Sequence, residues 1–303
     1  MFKLVAENLL HYAEGPRWRD GNLYFSDFFL KSVMSIDSSG KQKKIADVPN
    51  QPSGLGWLPN GDMIVVSMLD RKLMKIKDGN LELYADLSNL TPYRCNDMVI
   101  DVNGNAYVGN FGTYQHGKGV TPTVLIRVDT RGNASVVASR LDFPNGTVIT
   151  PDGKKLIIAE TYAGRLTSFL INKDGNLSNR RVWAQMIPRY YYFISRCSRF
   201  LGIYPKEGSG MPFPVPDGIC LDEGMGVWVA SPTTSEVIRY EEGGKITNRI
   251  ATPNRAYACM LGGNEGKTLF VCTADTSDPE EASSKLSGKI YSIDVELPKV
   301  GCP

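Results

Sequence analysis

The stretch Phe143–Thr161, FPNGTVITPDGKKLIIAET, decides how the rest of the chain reads. Apolar runs on both sides of Pro151-Asp152-Gly153 spell a β-hairpin, because glycine supplies the positive φ that a tight reversal needs. One residue does not fit. Asn145, held between Pro144 and Gly146, puts a carboxamide at the head of an otherwise apolar strand.

The hairpin recurs around the chain. GPRWRDGNLYFSD from Gly15, SGLGWLPNGDMIVVS from Ser53, NDMVIDVNGNAYVGN from Asn96, DGICLDEGMGVWVAS from Asp217 and YACMLGGNEGKTLFVCTAD from Tyr257 repeat the same plan. A third strand with alternating polarity follows each hairpin, as in SVMSIDSSGK, KLMKIKDGN and EVIRYEEGGK, and a fourth, shorter one follows in five units. The sixth unit lacks its fourth strand, and the N-terminal FKLVAENLL is available to supply it. Six units of four strands, at intervals of about 36 to 50 residues with one longer, predict a six-bladed β-propeller closed by its N-terminal strand. A sandwich accommodates such hairpins less well than radial repetition does. The expectation is one domain over residues 1–303, with no linker.

Composition narrows the function. With 34 Lys and Arg against 32 Asp and Glu, the net charge is +2, too balanced for whole-surface attraction to nucleic acid or membrane. No apolar run of about 18 residues predicts a membrane span, and the N-terminus does not read as a secretory signal. The six cysteines form no C-x-x-C pair, which argues against a thiolate zinc site, and most sit in apolar strand-like runs, so they read as reduced, cytoplasmic thiols. Cys259 and Cys272 flank one turn and could approach each other, which the tertiary structure decides. No G-x-S-x-G elbow supports a serine hydrolase, and GNFGTYQHGKG does not precede a helix as a phosphate loop does.

The start of each unit's first strand faces one mouth of the central channel. Counting back from the turn glycines, Glu14 lies seven residues before Gly21, Asn96 eight before Gly104, Asn145 eight before Gly153 and Asp217 seven before Gly224. The second unit offers Ser53 and Gly54 there, and the sixth Tyr257. Asn and Asp often only cap strands and turns. Four oxygen-bearing side chains at equivalent offsets instead make a cage for a hard cation such as Ca²⁺, Mg²⁺ or Mn²⁺. Zn²⁺ also accepts carboxylates, but neither His11 nor His116 belongs to the set.

With these residues in view, the chain resembles the SMP-30/gluconolactonase/luciferin-regenerating-enzyme family of six-bladed propellers. The resemblance is carried by AEGPRW, RCNDMVIDVNGNAYVGN, FPNGTVITPDGKKLIIAET and PDGICLDEGMGVWVA, in that order over nearly the whole chain. It implies one divalent cation, Ca²⁺ foremost, held by Glu14, Asn145 and Asp217, with Asn96 beside it contacting metal or substrate. It implies substrate contacts from Arg94 and Asp97. The activity implied is hydrolysis of a small-molecule lactone by a metal-polarised carbonyl and an activated water, with Asp217 as the catalytic base. The alternative is an organophosphate triester hydrolase of the diisopropyl-fluorophosphatase type, in which Asp217 attacks directly. A non-catalytic binding scaffold and a strictosidine-synthase-like propeller are rivals that do not need this oxygen set. Monomer and homodimer are both open.

The chain departs from a plain repeat between Asn145 and Asp217, an interval of 72 residues against 49 from Asn96 to Asn145. The surplus, 187–216, carries Tyr190, Tyr191, Tyr192, Phe193 and Phe200 interleaved with Arg189, Arg196 and Arg199, and ends at Asp217. It is expected to lie over the channel mouth as a lid lining the substrate pocket, with a dimer contact, a membrane-surface segment or a decorated loop as alternatives. Such a lining does not suit a simple sugar lactone. His116, in the loop after Phe111, is a further acid–base candidate. Trp18, Trp57, Trp183 and Trp228 read as core.

Overall fold

A computed structural model describes residues 1–112, 121–200 and 213–303. Its strands form six four-stranded antiparallel sheets, each in consecutive order except the last. Blade 1 runs from Ala13 to Asp47, blade 2 from Pro52 to Asp86, blade 3 from Cys95 to Leu141, blade 4 from Pro144 to Gln185 and blade 5 from Ile219 to Ala251. Blade 6 takes Arg255–Gly262, Thr268–Ala274 and Gly288–Asp294, and Lys3–Leu10 pairs antiparallel with the last of these to complete it. The innermost strand of every blade packs against those of both neighbouring blades, so the ring is closed. The predicted six-bladed propeller, with its N-terminal closing strand, is the observed fold.

Sequence pattern explains the layering. Middle strands are covered on both faces by adjacent blades, so they read as apolar runs: KLIIAE and TLFVCTA are buried almost throughout. Outermost strands meet water and alternate, as QKKIAD and ITNRIA do. The core therefore lies between blades. One cluster joins Trp228 and Val237 of blade 5, Met260 and Val271 of blade 6, and Leu23 and Phe25 of blade 1. Burying each such side chain contributes about 1.5–3 kcal/mol. Trp183 and Trp228 are core; Trp18 stacks on Phe270 at 5.3 Å, and Trp57 packs edge-on to Tyr24.

Among the described residues two α-helices interrupt the strands, and both come from segments outside the repeat. Helix α1 (Arg189–Phe200) lies in the long insertion, and α2 (Pro279–Ser284) starts at Asp278, whose carboxylate accepts from Glu280 N and Glu281 N. Among the described residues no helix is long and apolar enough to cross a membrane. All six cysteines are free. Cys259 and Cys272 do not meet: Cys272 lies opposite Ala258, so the adjacent Cys259 points to the other face of the blade. Cys259 Sγ instead sits 3.9 Å from Cys220 Sγ of blade 5.

Candidate active site

The antiparallel hairpins place every innermost strand's first residues at one end of the ring. Cys95 pairs with Asn110, Pro144 with Glu160, and Ala13 with Asp27. The other end is crossed by the C-terminal segment: Cys302 and Ile149 exchange backbone hydrogen bonds at 2.6 and 3.0 Å, and Val300 N donates to Leu221 O. A groove of about 640 Å³ between Lys43, Trp57 and Asp78 lies at that far end, away from the axial oxygens.

Glu14, Ser53, Asn96 and Asn145 are each the second residue of an innermost strand. Asp217 stands two residues before the short innermost strand Ile219–Leu221. A repeated irregularity aims them. Pairing with the second strand shifts between Glu14 and Arg17, Pro52 and Leu55, Cys95 and Met98, and Pro144 and Thr147. A bulge bends the strand and re-aims a side chain that a regular ladder would leave between blades. The strands also crowd there. A Cβ on Gly146 would stand 2.5 Å from Ile219 N, so only glycine fits after Asn145.

All four predicted oxygen bearers stand at the mouth end of the ring and are buried, at 8% exposure for Glu14 and Asp217, 4% for Asn96 and 5% for Asn145. Asn145 Nδ2 donates to Asp217 Oδ1 and, at 3.2 Å, to Thr161 Oγ1. Gly15 N donates to Glu14 Oε2 at 2.9 Å. Burial pushes the Asp217 carboxyl up to about 8; the Asn145 hydrogen bond opposes this and Asp97 adds to it. Burial and the Asp217 charge hold Glu14 well above the ordinary carboxylate range. Two buried acids that each repel the other's charge and meet few donors need a positive partner.

The carboxamides fit the same requirement. Ser53 Oγ donates to Asn96 Oδ1 at 3.3 Å, while Asn96 Nδ2 is buried without a partner. A half-turn of the carboxamide lets Nδ2 donate to Ser53 Oγ and places Oδ1 in the unpartnered position, where a cation would satisfy it. Among the described residues no three His, Cys, Asp or Glu side chains cluster as metal ligands. A cation on this axis would therefore use Asn oxygens beside the two carboxylates, a donor chemistry suited to hard ions.

The remaining predicted residues are placed differently. Asp97 is buried, and its Oδ1 accepts from Met98 N at 2.8 Å and from Arg17 Nη2 at 2.6 Å. Arg94 is exposed just before the innermost strand of blade 3, its carbonyl accepting from Phe111 N. His11 is turned away, its Nδ1 within 3.0 Å of Lys285 O beyond α2. His116 lies outside the described residues, as does 201–212 of the insertion. Helix α1 docks on the mouth end of blade 4: Tyr192 OH donates to Asp142 Oδ2 at 2.5 Å, and the Arg165 guanidinium lies 5.8 Å from the Tyr192 ring centroid. Aromatic groups flank the mouth, with Tyr12 4.7 Å from Tyr257 on one side and Phe111, Phe143 and Tyr162 in contact on the other.

Arg17 was not foreseen. It sits inside E-G-P-R-W, and its signal was a charge in a strand that neighbours cover on both faces. Glu160 was missed as well. It is fully buried, and accepts from Arg165 Nε and Nη2 at 3.0 Å, from Arg180 Nη2 and from Thr167.

A closed ring of six sheets with polar oxygens gathered at one end of its axis defines a six-bladed propeller with its candidate site in the central channel. The chain belongs to the SMP-30/gluconolactonase/LRE-like family, whose profile matches residues 12–275. It is 22% identical over 302 residues to pentonolactonase XacC of Haloferax volcanii, covering 96% of this chain and 93% of that one. It is 22% identical over 298 residues to L-arabinolactonase of Azospirillum brasilense, covering 95% and 90%. Among solved structures it is similar to regucalcin, a calcium-binding protein of Agrobacterium tumefaciens, at 18% identity and a TM-score of 0.78, covering 100% and 96%.

Proposed function

We propose that this protein is a divalent-metal-dependent lactonase. The observation that carries the reading is the convergence of Glu14, Asn96, Asn145 and Asp217, buried, with two carboxylates short of donors. The lactonase names of its relatives and the calcium named for regucalcin support it. When bound by these four residues, a divalent cation, Ca²⁺ first, would supply Lewis-acid polarisation of the lactone carbonyl.

The chain's own groups supply the rest. Asn145 Nδ2 holds Asp217 Oδ1, fixing the orientation of the carboxylate. Asp217 takes a proton from the water that attacks the carbonyl carbon. The ring C–O bond then breaks, and the proton passes to the departing oxygen to give a hydroxy acid. Exposed Arg94, just before the innermost strand of blade 3, would meet polar groups of the substrate from the rim. The aromatic groups at the mouth, and α1 beside them, favour lactones with apolar or aromatic substituents over small sugar lactones.

The test is hydrolysis of a lactone panel, from sugar lactones to aryl-substituted ones, after chelation and after adding back Ca²⁺, Mg²⁺, Mn²⁺ or Zn²⁺. Turnover that vanishes with the metal and returns with it is the expected result. A phosphotriester belongs in the same panel; turnover of it alone would move the assignment to that chemistry. Full lactone turnover in chelated protein would overturn the mechanism.

A further inference from the structure

Arg17 and Asp97 make an ion pair among the innermost strands, with side chains 5% and 9% exposed. Arg17 Nη2 donates to Asp97 Oδ1 and to Met98 O, both at 2.6 Å. Nε donates to Leu55 O at 3.0 Å and Nη1 to Pro16 O at 2.9 Å. One guanidinium thus ties the innermost strands of blades 1, 2 and 3 together. Gly54 makes the room: a Cβ there would stand 2.2 Å from Met98 N and 2.6 Å from Asp97 Oδ1.

The pair sits beside the candidate ligands. Asp97 follows Asn96 directly, and Arg17 is three residues from Glu14 on the same strand. The charges that act on Glu14 are those of Asp217, Asp97 and Arg17. Three carboxylates and one guanidinium leave two net negative charges. A buried pair of this kind is weak evidence of added stability, since apolar side chains of similar volume often brace strands as well or better.

We propose that the Arg17–Asp97 pair is a charge clamp. It keeps Asp97 turned away as a third carboxylate ligand, and holds the axial cage at two net negative charges, matched to one divalent cation. This rests on the reading that the axial oxygens hold such a cation. Arg17 acts through Asp97 and the strand backbones, as a positioning residue.

The two single variants move the cage charge in opposite directions, which a structural role would not do. Asp97→Asn leaves one net negative charge, and Arg17→Met leaves three. A unit charge within about 10 Å of a bound ion changes affinity by at least about tenfold at an effective dielectric constant of about 20. Ca²⁺ binding by calorimetry and Tb³⁺ binding by luminescence, with thermal melts alongside, read this directly. Asp97→Asn should weaken Ca²⁺ at least about tenfold. Arg17→Met should raise the preference for Tb³⁺ over Ca²⁺ by at least about tenfold, and the double variant should restore the wild-type preference. If Arg17→Met does not fold, the contrast between Asp97→Asn and the double variant decides. Equal weakening of both ions in both single variants, or an Arg17→Met preference equal to that of a wild type that binds Ca²⁺, overturns the clamp alone. A wild type that binds neither ion overturns the clamp together with the metal reading.

Discussion

Glu160 and Glu14 are both glutamates buried near the mouth, and the fold treats them oppositely. Burial raises Glu160, but Arg165 and Arg180, with the Thr167 hydroxyl, more than reverse it and leave the carboxyl below its ordinary range. Glu14 receives one backbone N–H, faces Asp217, and is held well above that range. Blade 4 supplies a buried acid with its counter-charges from its own strands. The axis gathers two acids without comparable counter-charges from their own strands. A satisfied buried carboxylate reads as structure, and an unsatisfied pair reads as a site.

The comparison is tested most severely by Asp217→Ala. It should abolish Ca²⁺ binding and lower lactone turnover at least about 10³-fold, with little change in the melting temperature of the chelated protein. Calorimetry and a steady-state assay check both halves. Glu160→Ala should do the reverse. By leaving two guanidinium groups without their partner it should cost about 3 kcal/mol of stability in a denaturant melt, while Ca²⁺ affinity is retained.

pH separates the two regions within one protein. Glu14 and Asp217 bind more protons folded than unfolded, so the chelated protein should lose stability as pH rises above the ordinary carboxylate range, about 4, the Asp217 part of the loss being complete once pH passes about 8. Saturating Ca²⁺ should remove that loss. The Glu160 contribution has the opposite sign: it is present at neutral pH and disappears only as pH falls through its depressed value, with or without Ca²⁺. Melting temperature against pH, in chelator and in Ca²⁺, resolves the two limbs.

Smaller effects fall at the rim. Arg94→Ala should raise KM about tenfold for a polar lactone and leave kcat nearly unchanged, because an exposed guanidinium binds ground state and transition state alike. Tyr192→Phe removes the hydrogen bond from α1 to Asp142 and should cost about 1 kcal/mol of local helix docking. Faster amide exchange confined to 189–200 is the expected readout.

Much of this was legible in the sequence, and for a definite reason. Strand polarity has a period of two and turns need glycine at fixed places, so six hairpins with common offsets give the blade count and strand order. Lys3–Leu10, the strand missing from the last blade, could be inferred by subtraction. The same offsets picked out Glu14, Asn96, Asn145 and Asp217, because a polar side chain leading a buried strand contradicts the pattern around it.

What tertiary structure alone decided is what those side chains meet. Asn145 and Asp217 are 72 residues apart and hydrogen-bonded; Arg17 and Asp97 are 80 apart and ion-paired. Neither contact follows from local spacing. Both depend on ring closure, on bulges near the start of the innermost strands of blades 1 to 4, and on glycines that let backbones nearly touch. Strand periodicity is local and survives in one dimension. The balance of buried charge is a sum over neighbours from different blades, and it exists only once the ring has closed.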